Sequence, residues 1–240
     1  MAGMTTLPTT PDAARHRTRL LDGVPRGELL IHEIYASIQG ESTFAGLPCT
    51  FVRTSVCDLR CTYCDTPYAF NRGERMTRSA VRDAVLALGI PLVEITGGEP
   101  LLQGDVLPLM CELADAGCTV LLETSGAHDV SGIDPRVHII MDLKTPDSGE
   151  ADRNLWANLE HLKPGDQIKF VIASEADWAW AVDAIRTHKL DNRFTVLVST
   201  AFRELPPARL VDLLLAARLP KVRMQLQLHK YIWDPATRGV

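Results

Sequence analysis

The chain has 240 residues, 46% of them hydrophobic and 23% charged, with a formal net charge of −5. That length suits one large domain or two small ones, burying roughly 70% or more of the unfolded surface. The acidic balance, with an isoelectric point near 5.8, argues against a general nucleic-acid binder, which needs a basic face. No apolar run approaches the roughly 20 residues of a membrane span.

Residues 1–28 are rich in Thr, Pro, Ala and Arg and carry no apolar stretch of signal-peptide type, so a flexible extension is expected there. This places the chain in the cytoplasm, where thiols stay reduced and its 6 cysteines read as ligands or buried residues. A single domain is expected over 29–240. Strands are predicted at 29–37 and 50–56, then a helix at 77–89 with Thr77 as N-cap and Gly89 as stop. Strand 91–97, helix 105–117 and strands 119–125 and 138–144 follow. After a helix near 154–162 come strand 167–174, helix 175–188, strand 194–200 and helix 206–219, with 222–233 closing the chain. Strand–helix alternation with Val/Ile/Leu-dense strands predicts an α/β fold with a parallel sheet. A full eight-fold barrel needs about 250 residues. The expectation is therefore a shortened, incomplete TIM-type β/α barrel.

Cys57, Cys61 and Cys64 stand at C-x3-C-x2-C on the loop after the second strand, with no fourth cysteine beside them. Three thiolates can hold a [4Fe–4S] cube and leave one iron open, which marks a reactive metal position rather than a structural one. A zinc site completed by His32, His128, His138, His161 or His229 has the same local appearance. Residues 95–100, Ile-Thr-Gly-Gly-Glu-Pro, follow another strand. Two glycines there allow close approach of a ligand to free backbone groups, and Glu99 suits an ammonium; alone, the segment also reads as a plain turn.

Together these two motifs resemble the radical S-adenosylmethionine (SAM) superfamily, with Tyr63 as the aromatic inside the cysteine loop. The resemblance implies a [4Fe–4S] cluster on the three cysteines and SAM beside it. It implies cofactor contacts from Tyr63, Cys64 and Asp65, from Gly97, Gly98 and Glu99, and from Ser125. Further contacts are implied at the later strand ends: Asp142, Leu143 and Lys144, and more loosely Ser199, Thr200, Ala201 and Phe202. Residues 35–42, 51–53 and 227–233 are similar to the 7-carboxy-7-deazaguanine synthase family, and the similarity spans about 29–240. That family contracts the ring of 6-carboxy-5,6,7,8-tetrahydropterin with loss of ammonia, in queuosine biosynthesis.

The implied enzyme is a carbon–nitrogen lyase that uses magnesium, forms a homodimer and takes electrons from a flavodoxin-type donor. Thr66 is the implied magnesium ligand. Substrate contacts are expected from Ile38, Gln39, Gly40 and Glu41, from Arg53 gripping a carboxylate, from Thr96, and from His229 and the terminal Val240. Arg53 could equally pair with Glu33 or Glu94, and Thr66 could cap a turn. Cys49, Cys111 and Cys118 read as buried apolar residues, and Trp178 and Trp180 as helix packing. Two positions depart from the family pattern: Val56-Cys57-Asp58 where Gly-Cys-Asn is usual, and Ser42 where Gly is common. A glycyl-radical activase or a non-enzymatic zinc module remain the alternatives.

Overall fold

The computed structural model describes residues 16–234 and 237–240. Among them lies one nine-stranded sheet, in the order β3-β1-β2-β4-β5-β6-β7-β8-β9. The strands are β1 (Glu28–Ile38), β2 (Pro48–Thr54), β3 (Glu74–Thr77), β4 (Leu92–Gly97), β5 (Thr119–Thr124), β6 (His138–Asp142), β7 (Gln167–Ile172), β8 (Thr195–Thr200) and β9 (Val222–Met224). From β2 through β9 every pairing is parallel. The two outer strands, β3 and β9, do not pair, so the sheet stays open.

Two expectations change. The first two strands are antiparallel, not parallel, and β1 also pairs antiparallel with β3, which the sequence did not reveal. Residues 39–47 are too few for the crossover that parallel neighbours require, about a dozen residues or more. The helix expected near 154–162 is a 3₁₀ segment, Trp156–Glu160. Its Asn158 side chain bonds Gly126 O, His128 O and the Val130 N–H, tying the turn to the β5–β6 loop.

The helices are α1 (Arg78–Ala87), α2 (Val106–Asp115), α3 (Glu175–His188), α4 (Leu190–Arg193), α5 (Pro207–Ala217) and α6 (His229–Ile232). Thr77 caps α1 by accepting from the Ala80 N–H, and Ser174 caps α3 from Asp177. Each parallel strand sends alternate residues to the helices: Val93 and Ile95, Val120 and Leu122, Ile139 and Met141, Ile168 and Phe170. The opposite residues form a concave face. At one end it is apolar, with Cys49, Phe51, Leu92, Leu121 and Ile140 in one cluster. Towards the strands' C-terminal ends the same face turns polar, with buried Glu94, Asp142 and Lys169. That switch from apolar to charged marks the site.

Residues just before β1 already pack on this domain. Arg17 Nη1 donates to Asp58 O at 2.7 Å, and Gly27 N–H to Asp105 Oδ2 at 2.8 Å. Residues 1–15 of the expected extension lie outside the described residues.

Candidate functional site

The cysteine loop leaves β2 at its C-terminal end, the end where α/β barrels place their sites. Val56 starts it at φ 77, and Ser42 sits at φ 65. Both departures from the family pattern thus keep a backbone that glycine adopts freely, and for a β-branched residue such a φ is a genuine outlier. Full burial of the Val56 side chain offsets the strain.

Cys57, Cys61 and Cys64 line one cavity, with Leu59 and Phe70 beside them. Burial pushes the Cys57 thiol up to about 12 and raises Cys61 as well. Among the described residues no three His, Cys, Asp or Glu side chains gather into a cage for a single metal ion. Thr66 is on the cavity wall, its hydroxyl 3.9 Å from the Cys64 sulfur and without a side-chain capping bond.

Charged groups pin the loop from outside. The Asp58 carboxylate takes His128 Nε2 at 3.1 Å and Arg153 Nη2 at 2.6 Å. These partners hold it below the usual carboxylate range, although burial, the largest influence, pulls the other way. Glu150 accepts the Arg60 N–H at 2.6 Å.

The Gly97-Gly98-Glu99 segment packs differently from the sequence expectation. A Cβ on Gly97 would fall onto Thr54, and one on Gly98 onto the carbonyl of Val56. The Gly98 and Glu99 N–H groups are bound to Thr54 O and Val56 O, at 3.0 and 2.8 Å. The glycines therefore seat the start of the cysteine loop against β4 while still lining the cavity. We expect Gly98→Ala to cost about 1–3 kcal/mol, because neither backbone can yield cheaply. Denaturant unfolding checks this; a cost near zero would mean the two segments are not in contact.

Glu99, expected to face an ammonium, is fully buried. Its carboxylate accepts from Leu101 N–H, Thr124 Oγ1, and the N–H and Oγ of Ser125 at 3.0, 2.8, 2.8 and 2.6 Å. It fixes Ser125, which does line the cavity. Asp142 presents a buried Oδ1 with no protein partner, its Oδ2 taking Lys144 Nζ at 2.7 Å.

On the facing wall, Lys169 Nζ bridges Glu123 and Glu41, the latter at 3.1 Å. Burial works against its charge, yet the two carboxylates hold Lys169 well above the ordinary lysine range. Glu41 stays ionised despite burial because Lys169 and a Gln227 hydrogen bond stabilise its charge. Glu94 receives the Gln39 amide. Burial, reinforced by Glu123, raises it well above the carboxylate range, so it holds a proton more tightly than Glu41 does. Arg53 donates from Nε to Glu33 at 2.8 Å and from Nη2 to the Tyr35 hydroxyl at 3.0 Å. The pairing with Glu33 thus exists, and Arg53 lines the cavity as well.

The chain's end completes the wall. His229 occupies the space a Cβ on Gly40 would need, so the protein's own imidazole packs against that glycine. Leu228 N–H bonds Gly40 O at 3.0 Å, and Lys230 Nζ is 2.7 Å from Asp65 Oδ2. Burial lowers the His229 pKa. Val240 reaches the cavity as well.

Of the expected site residues, Ile38, Gln39, Gly40, Glu41, Arg53, Thr96, Tyr63, Asp65, Lys144, Ala201 and Phe202 also share this cavity. Glu99, Leu143, Ser199 and Thr200 do not line it: Leu143 is in the helix-side core, and Ser199 and Thr200 line a separate small hollow. Sequence reading missed Glu94, Glu123, Lys169, Gln227 and Lys230. The first three carried a signal: a charged residue in the middle or at the end of an otherwise apolar, doubly covered strand.

Comparison with known proteins gives one consistent result. The family model described as the radical SAM superfamily matches residues 51–217. A 7-carboxy-7-deazaguanine synthase of Chlorobaculum tepidum is 48% identical over 88% of this chain and 97% of its own length. One of Koribacter versatilis is 42% identical over 88% and 99%. The crystal structure of QueE from Escherichia coli superposes with a TM-score of 0.70 at 23% identity, covering 84% of this chain and 95% of that one. At that identity it supports the fold alone.

Proposed function

The chain belongs to the radical SAM superfamily and, within it, to the 7-carboxy-7-deazaguanine synthases, and from that premise we infer that it converts 6-carboxy-5,6,7,8-tetrahydropterin to 7-carboxy-7-deazaguanine and ammonia, in queuosine biosynthesis. The observation that supports this best is the division of one cavity between three thiols and a polar wall of opposed charges. The acidic side, Glu41, Glu94 and Glu123 with a single Lys169, suits the N–H-rich edge of a 2-amino-4-oxo pterin. Arg53 suits the substrate carboxylate. Such a reaction is that of a carbon–nitrogen lyase.

The donor set fits a [4Fe–4S] cluster: three soft thiols on one loop against an apolar wall, with cavity space left on one side. When bound, the cluster supplies one electron to SAM and so starts radical chemistry. The chain's part is to hold and orient. Tyr63, Cys64 and Asp65 form one flank of the SAM site, Gly97, Gly98 and Ser125 another, and Ala201 and Phe202 the far rim. Asp142 Oδ1, buried and unpartnered, is the acceptor for a hydroxyl or ammonium of that ligand. Thr96 sits where the two ligands meet. Ile38, Gln39, Gly40, His229 and Val240 bound the pterin.

Magnesium fits through the Thr66 hydroxyl alone, since Asp65 is engaged by Lys230. Magnesium typically takes few protein ligands and completes its shell with substrate and water. A homodimer would cover apolar surface such as Tyr231 and Ile232, which are 58% and 53% exposed. A flavodoxin-type donor suits a one-electron need. The reducing cytoplasm suits free thiols, and no helix among the described residues is long and apolar enough to cross a membrane.

The test is anaerobic turnover of reconstituted protein with SAM, dithionite, magnesium and the pterin. Expected are about four irons per chain, the deazaguanine product and an equal amount of ammonia. Thr66→Ala should blunt the response to magnesium. A colourless protein with one zinc, or SAM cleavage without any ring-contracted product, would overturn the reading.

A further inference from the structure

Arg60 lies between Cys57 and Cys61 in the chain, and its guanidinium forms no ion pair among the described residues. Its Nη1 donates to the carbonyls of Cys57 and Leu59 at 2.7 and 2.6 Å. The guanidinium carbon lies 4.1 Å from the centroid of the Phe70 ring. Phe70 forms one buried cluster with Cys57 and Leu59, against which Cys61 and Cys64 pack. A positive charge is therefore fixed on the very group of side chains that carries the thiols.

The nearby carboxylates are already engaged. Asp58 is bound by His128 and Arg153, and Glu150 lies 3.6 Å from Arg17 while accepting the Arg60 backbone N–H. Arg17 also donates to the carbonyl of Asp58. Three arginines thus converge on the outer side of the cysteine loop, where Asp58 and Glu150 are the facing carboxylates, and Arg60 is the one of the three whose guanidinium makes no ion pair with them.

A cluster held by three thiolates is anionic, and adding an electron makes it more so. A fixed cation beside it favours the reduced form, more strongly where water is excluded. We propose that Arg60 sets the reduction potential of the iron–sulfur cluster, holding it higher than the thiolates alone would. The inference rests on the reading of the three cysteines as cluster ligands. One electron enters from a low-potential one-electron donor, and no bond or proton changes hands. Arg60 is a positioning residue in this role: it touches neither substrate nor the reacting carbon.

The experiment is a redox titration of the reconstituted full chain, with the reduced cluster read by electron paramagnetic resonance and iron counted separately. At the wild-type midpoint, Arg60→Gln and Arg60→Met should lower the reduced-to-oxidised ratio about tenfold, a shift of about 59 mV for a one-electron couple. Arg60→Lys should recover most of it, because the charge returns without the two-carbonyl grip. Should Arg60→Met fail to fold, Arg60→Gln decides, since it keeps a donor but no charge. Neutral variants with full iron and an unchanged midpoint would overturn the proposal. So would an Arg60→Lys variant with full iron whose midpoint stays as low as that of the neutral variants, for Arg60 would then act through its two-carbonyl grip and not through its charge. Wild-type protein that takes up no four-iron cluster would instead bring down the functional reading itself.

Discussion

Cys61→Ala should lose reductive cleavage of SAM by a factor of about 100 or more and should fall below full iron content. On the proposed cluster reading each thiolate would serve one iron, and the loop offers no substitute: the other three cysteines lie elsewhere, Cys49 in the apolar end of the concave face and Cys111 and Cys118 on or after α2. Cys57→Ala and Cys64→Ala should behave alike. Cys111→Ala is the control, and it should keep both iron and cleavage. Iron analysis with quantitation of 5′-deoxyadenosine checks the series. A Cys61→Ala protein that keeps four irons and full cleavage would sink the ligand assignment.

Lys169→Met should be the most damaging change away from the cysteine loop. The methionine fills nearly the same volume, so packing survives, but Glu41 and Glu123 lose their shared cation in a buried setting beside Glu94. Removing one member of a buried charge group costs about 3–5 kcal/mol. The pH dependence gives the sign. In the wild type the Glu41 pKa is lowered, so its contribution is present at neutral pH and is lost as pH falls through that lowered value. Without Lys169, burial and like charges raise it instead, so the variant regains stability as pH falls and Glu41 takes up a proton. The deficit should therefore be large at pH 8 and smaller at pH 5. Denaturant unfolding at both values measures it, and Lys169→Met combined with Glu123→Gln should recover part of the loss. A deficit that is equal at both pH values would show that the lysine acts through packing and not through charge.

The architecture was largely readable because Val/Ile/Leu-dense runs alternating with capped helices report burial directly. Thr77, Ser174 and Pro207 each begin a helix that the pattern had delimited. The antiparallel start of the sheet escaped because strand direction is set by the length and path of a connection, and apolar strands look alike in either sense. β3 escaped because Glu74–Thr77 is short, mostly exposed and without alternation. At the site, Cys57, Cys61, Cys64 and Gln39 on loops and Arg53 on β2 were legible as residues of the cavity. Glu99 and Gly40 stand out by residue type, but type does not tell whether a group meets a ligand or its own chain. Here Glu99 meets Ser125 and Gly40 meets His229. Lys169 was concealed by its setting, since only the three-dimensional pairing shows that one strand's lysine neutralises glutamates from two other segments.

The bonds that join residues 41–42 to Gln225 and Gln227 link positions 183 to 186 apart in the chain. Contacts of such sequence separation carry a large loop-closure entropy and form only after local structure is in place. During synthesis the cysteine loop and its β2 and β4 neighbours leave the ribosome well before the segment that carries Gln225, Gln227, His229 and Lys230. A chain interrupted near residue 220 would carry the three thiols but lack Gln225, Gln227, His229 and Lys230. The wall that carries the thiols is thus made early, and the wall that carries Gln227, His229 and Lys230 is made later.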